Sequence, residues 1–431
     1  MRLAIEKLSH EGRGIAHRDG KICFVTGALQ GETVEARRIA SRARHDEYST
    51  VAVVTPSRLR VTPPCPHYGA CGGCDLQHLD PTAQREHKMQ VVLETLARMA
   101  RMTPRVVEAP IESAPLHYRT RARLAIDART RGAPSVGFRE GSSAAIVPIA
   151  TCSVLDSQLA PLPSALAAFL AELDQPRAIG HVDLALSESG DETFPVIGIR
   201  LVRASTEPDR ARAAAFGAAH RAYVALDDGQ SPATYLHRPS DEPPGYRLPA
   251  LDLRLRFEPG DFVQGNAAVN RALVRRVVDW TFLDAPKTVL DAFCGLGNFS
   301  LALARAGAHV LGVEVDRGMV ARARLNAASN AVTGVELAQR DLQSDELALP
   351  RKRFDAVVLD PPRTGARALV HALAEQRIAS LVYVSCMPGS LGRDARLLAD
   401  AGYALDRLAI VDMFPQTSHV EAIARFVRAR R

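Results

Sequence analysis

TVLDAFCGLGNFS, residues 288–300, decides the fold. Thr288–Ala292 is apolar and favours a strand, Gly295 and Gly297 form a Gly-x-Gly turn, and FSLALARAG (299–307) continues with helical spacing. A strand therefore runs through a tight turn into a helix. Glycines in such a turn let backbone approach a ligand closely. The third glycine of the dinucleotide fingerprint is absent, because Phe299 and Ser300 follow Asn298. A ligand without a pyrophosphate, such as S-adenosylmethionine, suits this reduced turn better than a nicotinamide dinucleotide.

Around this stretch the pattern repeats. NRALVRRVVDWTFL (270–283) reads as an amphipathic helix. HVLGVEV (309–315), VELAQRD (335–341), FDAVVLDPP (354–362), LVYVSC (381–386) and AIARFVRA (422–429) read as strands alternating with helical stretches such as GMVARARLNAASN (318–330). The alternation predicts a mostly parallel α/β sheet from about residue 258 onward. Glu314 ends the second strand, where a carboxylate can accept from both ribose hydroxyls. LDPPR (359–363) closes a later strand. Asp-Pro-Pro motifs also hold acceptor amines in amino-methyltransferases, so this one alone does not separate nitrogen from carbon chemistry.

Cys386 and Glu421 make that separation. LVYVSCMP (381–388) sets a cysteine after a β-rich run, and DMFPQTSHVEAI (412–423) presents a carboxylate. C5 of a pyrimidine ring is a poor nucleophile. Thiolate addition at C6 makes an enolate and turns C5 into a carbanion equivalent, which requires a cysteine. After methyl transfer a base must remove the C5 proton so that the thiol can leave, and Glu421 is the candidate. His419 either orients Glu421 or caps a turn. Cys294 and Cys23 read as packing residues.

Composition sets bounds. The chain has 431 residues and 47% hydrophobic residues, enough for about two or three domains with real cores. The start, MRLAIEKLSHEGRG, meets polar residues too early for a signal peptide, and no apolar run is long enough to span a bilayer, so a cytoplasmic protein without membrane partners is expected. A net charge of +6 favours a polyanion partner only weakly. Seven cysteines without a secretion signal point to a metal site or catalysis rather than to disulfides.

Residues 1–57 carry short alternating stretches separated by GRG, DG and QGE turns, which predicts a five-stranded OB-type barrel. Arg13, Arg18, Lys21, Arg37, Arg38, Arg42 and Arg44 stud it, either as a solvated face or as an RNA-contacting surface. In VTPPCPHYGACGGCDL (61–76), Cys65, Cys71 and Cys74 have C-x5-C-x2-C spacing, and Cys152 follows in IATCSVLD (149–156). Four thiolates could hold zinc or an iron–sulfur cluster, and the spacing leaves both open. A helical pattern follows Asp80-Pro81, and HYRTRARLAID (117–127) and VGFREGSSAAIVPI (136–149) read as extended. Further on, LALSES (184–189) and FPVIGIRLV (194–202) read as strands, and PDRARAAAFGAAHRAYVAL (208–226) as a helix followed by a strand.

Several motifs carry a family resemblance. EKLSHEGRGIAHRDGKICFVTGALQGETVEARR (6–38) resembles a TRAM domain. CPHYGACGGCDLQHL with YRTRARLAI, VGFREGSS and ATC resembles the iron–sulfur motif of RNA uracil-5-methyltransferases. VLDAFCGLGNFS is similar to the donor motif of class I methyltransferases. GDFVQGNAAVN, VLDAFCGLGNFS, LDPPR, YVSCMP and DMFPQTSHVE occur in this order and resemble bacterial iron–sulfur-dependent 23S rRNA uracil-5-methyltransferases over nearly the whole chain. Met387 and Pro362 stand where relatives commonly carry Asn and Ala.

The resemblance implies Gln264, Phe293, Asn298, Glu314, Asp341 and Asp360 around S-adenosylmethionine, Cys386 as nucleophile and Glu421 as base. It implies that Cys65, Cys71, Cys74 and Cys152 bind a [4Fe-4S] cluster, and that residues 77–115 pack on the catalytic domain. A barrel before the cysteine loop points to the branch acting on uridine 1939 of 23S rRNA. The expected architecture is α/β: a TRAM OB-like barrel (1–57), an α+β central iron–sulfur domain (58–257) and a class I Rossmann-like methyltransferase domain (258–431), in a monomer. Arg119, Arg121 and Arg123 are expected to position RNA through phosphate contacts. The alternatives are the same chemistry on another rRNA site or on tRNA, and a non-catalytic RNA-binding factor with a retained methyltransferase fold.

Overall fold

The alternation from residue 258 onward builds an eight-stranded sheet in the computed structural model, which describes residues 1–128, 134–141, 143–228, 233–344, 353–376 and 378–428. Its order is Val335–Gln339, His309–Glu314, Thr288–Ala292, Ala356–Leu359, Ser380–Ser385, Glu421–Arg428, Tyr403–Val411 and Val106–Val107. The first five strands are mutually parallel. Glu421–Arg428 is antiparallel to both neighbours, Ser380–Ser385 and Tyr403–Val411. The central strands are buried on both faces, as parallel strands covered by helices must be: Ala356–Leu359 and Ser380–Ser385 are buried throughout.

One face is covered by helices Arg367–Gln376 and Pro388–Asp400 and by a helix from far upstream, Pro81–Ala100. That upstream helix begins where the sequence permits. Asp80 caps it by accepting from the Thr82 and Ala83 backbone N–H groups, and Pro81 occupies the first turn. It ends at Arg101 in the left-handed region. Its Val91, Val92, Leu96 and Ala100 pack into the same core as Leu381, Leu391 and Leu398. Val92 and Leu96 are wholly buried there, each worth about 1.5–3 kcal/mol. The short strand Val106–Val107 then adds to the sheet edge in parallel with Tyr403–Val411. The other face holds helix Ala267–Thr281, whose Leu273, Val274 and Val277 are buried against Val289, Val358 and Ile423.

The central region is a seven-stranded sheet, mostly antiparallel, with helices Leu162–Ala171 and Glu207–Ala219 in its core. The strands and the helix read from residues 184–226 are present, as Ile179–Ser189, Glu192–Leu201, Glu207–Ala219 and Tyr223–Asp227. The N-terminal unit is a six-stranded sheet rather than the expected five-stranded one. The extra pairing is Lys7–Leu8 against Gly14–Arg18, two residues too short to show an alternating pattern. Arg37, Arg38, Arg42 and Arg44 are exposed on it. Among the described residues no helix is long and apolar enough to cross a membrane.

Candidate active site

The Gly-rich turn is shaped by three left-handed residues: Phe293 at φ 66°, Gly295 at φ 54° and Gly297 at φ 91°. A Cβ on Gly297 would lie 2.4 Å from Leu301 Cδ1, so the turn reaches its helix only with glycine there. Glu314, at the end of the neighbouring strand, closes the turn. Its carboxylate accepts from the Gly295 N–H at 3.2 Å, from Val315 at 2.7 Å and from Asp316 at 3.0 Å.

This turn forms the wall of a cavity of about 680 Å³. Gln264, Phe293, Asn298, Glu314, Asp341, Asp360, Cys386 and Glu421 all line it. The site thus lies at the carboxyl ends of the parallel strands, where open α/β sheets bind ligands. Cys386 and Glu421 arrive from adjacent strands. Ser385 pairs with Ala422 in antiparallel register, so the next residue of one strand comes beside the first residue of the other.

Burial dominates the site's electrostatics. It pushes Glu421 up to about 8, helped by the nearby Asp360 charge and opposed by Lys88 and Arg363. Burial also pushes Asp360 up to about 7. The Cys386 thiol is pushed up to about 11 by burial and then by the Glu421 and Asp360 charges, with Arg363 pulling the other way. Asp291, behind the Gly-rich turn, is pushed up to about 7 and accepts from Ser300 Oγ.

Sequence reading missed several neighbours. Asn298 is held by Tyr246 Oη at 3.0 Å and exchanges hydrogen bonds with Asn270, whose side chain accepts from Asn298 Nδ2 at 2.9 Å. Arg363 and Phe262 also line the cavity. Phe262 is 61% exposed, with the Arg121 guanidinium 5.4 Å from its ring centroid. Both residues lie within quoted motifs, LDPPR and GDFVQG, so adjacency to Asp360 and Gln264 was the available clue. Arg119 and Arg123, expected at phosphates, have protein partners: Arg119 lies over the Phe414 ring, and Arg123 pairs with Asp183 at 2.8 Å. His419 packs its ring edge-on against Phe414, with centroids 6.0 Å apart, and its N–H donates to Thr417 Oγ1. Met387 caps the strand end: its carbonyl accepts from Ser385 and Ser390.

Cys65, Cys71, Cys74 and Cys152 surround a second, smaller cavity, together with Tyr68, Arg119 and Phe138. The loop is pinned to the strand Ser135–Arg139. Gly72 N–H donates to the Arg139 carbonyl at 2.9 Å, and Cys71 bridges Glu140. A Cβ on Gly72 would lie 2.9 Å from Gly141 Cα, so the two turns touch through glycine alone. Burial raises the Cys71 and Cys152 thiols and takes Cys74 to about 12, with charges of the other cysteines adding to each. Among the described residues no group of three or more His, Cys, Asp or Glu side chains converges as a metal-ion site.

Residues 247–428 match the family model of tRNA (Uracil-5-)-methyltransferase, and residues 1–39 match the TRAM domain. A protein of Shewanella piezotolerans named 23S rRNA (uracil(1939)-C(5))-methyltransferase RlmD is 42% identical over 427 residues, covering 98% of this chain and 95% of the relative. One of the same name from Pseudomonas aeruginosa is 42% identical over 429 residues, covering 99% and 93%. The crystal structure of Pyrococcus abyssi tRNA (uracil-54, C5)-methyltransferase in complex with S-adenosyl-L-homocysteine superposes with a TM-score of 0.73 at 25% identity, covering 99% of this chain and 100% of that one.

Proposed function

The chain belongs to the 23S rRNA (uracil(1939)-C(5))-methyltransferase family, and on that premise we propose how its own residues methylate C5 of uridine 1939. The enzyme is an S-adenosylmethionine-dependent 23S rRNA uracil-C5-methyltransferase. The observation that carries the mechanism is the shared cavity: a thiol and a carboxyl from adjacent strands open into the space walled by the Gly-rich turn.

S-adenosylmethionine supplies an electrophilic methyl group on a cationic sulfur. Glu314 and Asp341 would bind its ribose and adenine side, with Phe293, Asn298, Gln264 and Asp360 lining the same cavity. The target uridine leaves its stack to enter the cavity. Cys386 thiolate adds at C6, and the electron pair moves through the enolate to C5, which takes the methyl group as the sulfonium S–CH3 bond breaks and S-adenosylhomocysteine leaves. Glu421 then removes the C5 proton, the C5=C6 bond re-forms and the C6–S bond breaks, returning Cys386 as thiolate. A carboxyl pushed up to about 8 is a stronger base than an ordinary carboxylate, which suits removal of a proton from carbon.

In this reading the four cysteines hold a [4Fe-4S] cluster. What supports this reading is a sulfur-only donor set, four cysteines lining one small cavity. A bound cluster would supply ligation energy that ties the cysteine loop to the central sheet through Cys152. The exposed arginines of the N-terminal sheet support RNA binding there.

The test is methyl transfer to a 23S rRNA fragment, with the product mapped by nucleotide. Label at C5 of uridine 1939 is expected. Label confined to tRNA or to another rRNA position would overturn the substrate assignment, and no label in any RNA would leave an RNA-binding factor.

A further inference from the structure

A loop of nine residues, Asp412–Val420, joins strands Tyr403–Val411 and Glu421–Arg428 and delivers Glu421 to the cavity. Its root is gripped from the upstream helix. Lys88 Nζ donates to Asp412 Oδ1 at 2.7 Å and to the Phe414 carbonyl at 3.1 Å. Lys88 is 0% exposed. A helix whose contact is otherwise made by Val92 and Leu96 needs no cation to pack, and a buried ion pair is weak evidence for stability as such. Asp412 directly follows Val411, the register partner of Glu421, so the ammonium clamps the strand end opposite the base.

A second attachment comes one helical turn earlier. Gln84 Nε2 donates to Gln416 Oε1 at 3.0 Å, and Gln416 N–H donates to Gln84 Oε1 at 2.8 Å. Gln416 is held at φ 70°, a conformation that persists in a non-glycine residue only when its surroundings impose it. The cysteine loop adds Asp75, whose carboxylate accepts from Ser418 N–H and Oγ, both at 2.6 Å.

We propose that Lys88 is a positioning residue for removal of the C5 proton: with Gln84 it fixes the loop that aims Glu421 at the carbon beside Cys386. The proposal rests on the methyltransferase reading and deepens it. The charged and titratable groups facing Glu421 are Asp360 and Arg363 after strand Ala356–Leu359, Asp412 on its own loop, Lys88 from the helix and the Cys386 thiol. Lys88 and Arg363 favour the ionised carboxylate, and Arg363 is the one that lines the cavity. Lys88 therefore acts through the loop and through charge, without touching RNA.

The test is a single-turnover reaction of the full chain on a 23S rRNA fragment tritiated at C5 of the target uridine, with methyl-labelled donor in parallel. Methyl-bearing protein–RNA adduct reports addition and methyl transfer, and tritium release reports proton removal. In Lys88→Met, adduct should form at close to the wild-type rate while tritium release slows about tenfold or more, so adduct accumulates. The pH limb of release should move upward, because losing a nearby cation raises a carboxyl's pKa. Lys88→Arg should return the ratio of release to formation toward wild type. If Lys88→Met does not fold, Gln84→Leu, which breaks both bonds to Gln416 without stranding a charge, carries the same partition test. A folded variant with formation and release lowered equally, and the pH limb unmoved, overturns the proposal. If wild type traps no adduct even on 5-fluorouridine RNA, the covalent reading itself fails.

Discussion

Ser385 faces Ala422 across an antiparallel register, and this one pairing sets the Cys386 thiol beside the Glu421 carboxyl. Strand Ser380–Ser385 ends at the cavity, whereas strand Glu421–Arg428 starts there. Had the last strand been parallel, its first residue would lie at the opposite end of the sheet. The reversed final strand is thus what lets a thiol and a carboxyl from neighbouring strands open into one cavity.

Cys386→Ala should abolish methylation and leave S-adenosylmethionine binding nearly intact, because the residues proposed to hold the donor are Gln264, Phe293, Asn298, Glu314 and Asp341, and Cys386 is one of many side chains lining the cavity. Calorimetric titration with the donor, beside a methyl-transfer assay, checks both halves. Wild type should trap a stable adduct on 5-fluorouridine RNA, and Cys386→Ser should not. Turnover by the alanine variant close to wild type would rule out covalent catalysis.

Glu421→Gln should slow turnover about 10²–10⁴-fold, as expected for loss of a general base, and should stall after methyl transfer. A methylated protein–RNA complex then persists on denaturing gels. An inactive variant with no such complex would assign Glu421 an earlier role.

Proton release in wild type should depend on pH with a definite sign. Glu421 accepts a proton only when ionised, and burial holds it protonated up to about 8. Release should therefore rise with pH and level off above that value, provided addition is measured separately. A rate that falls across this range would argue against Glu421 as the base.

Gly297→Ala should weaken donor binding and lower stability by about 1–3 kcal/mol, because it places a side chain in the left-handed region against Leu301. Thermal unfolding with and without S-adenosylmethionine reads both effects. A variant with wild-type affinity would show that the turn can move.

Anaerobically purified protein should be brown, with about four irons per chain, and Cys74→Ala should lose iron, stability and RNA affinity together. Stoichiometric zinc without iron would overturn the cluster assignment and leave the methyltransferase reading standing.

The site's strand-end residues were legible because each closes an apolar run: Glu314 after HVLGV, Asp360 after VVL and Cys386 after VYVS. Gln264, Phe293 and Asp341 took their roles from the family pattern, since their residue types and positions alone name no ligand. Lys88 was hidden, because a cation on a helix reads as a solvated face until its partner is known. Asn270 and Tyr246 were hidden for the same reason: they touch Asn298 only after the hairpin Gly245–Arg256 and helix Ala267–Thr281 fold over the turn. The sixth N-terminal strand was too short for any periodicity to report.

Lys88 and Asp412 are 324 positions apart in the chain. At synthesis rates of about 5–20 residues per second, the helix Pro81–Ala100 emerges roughly 15–60 s before helix Pro388–Asp400 and strand Tyr403–Val411, on which it packs, exist. During that interval Val91, Val92 and Leu96 face solvent or a provisional partner. The catalytic half is therefore the last part of the molecule to be sealed, and a chain cut short before Asp412 leaves an apolar helix and an unmatched cation for quality control to find.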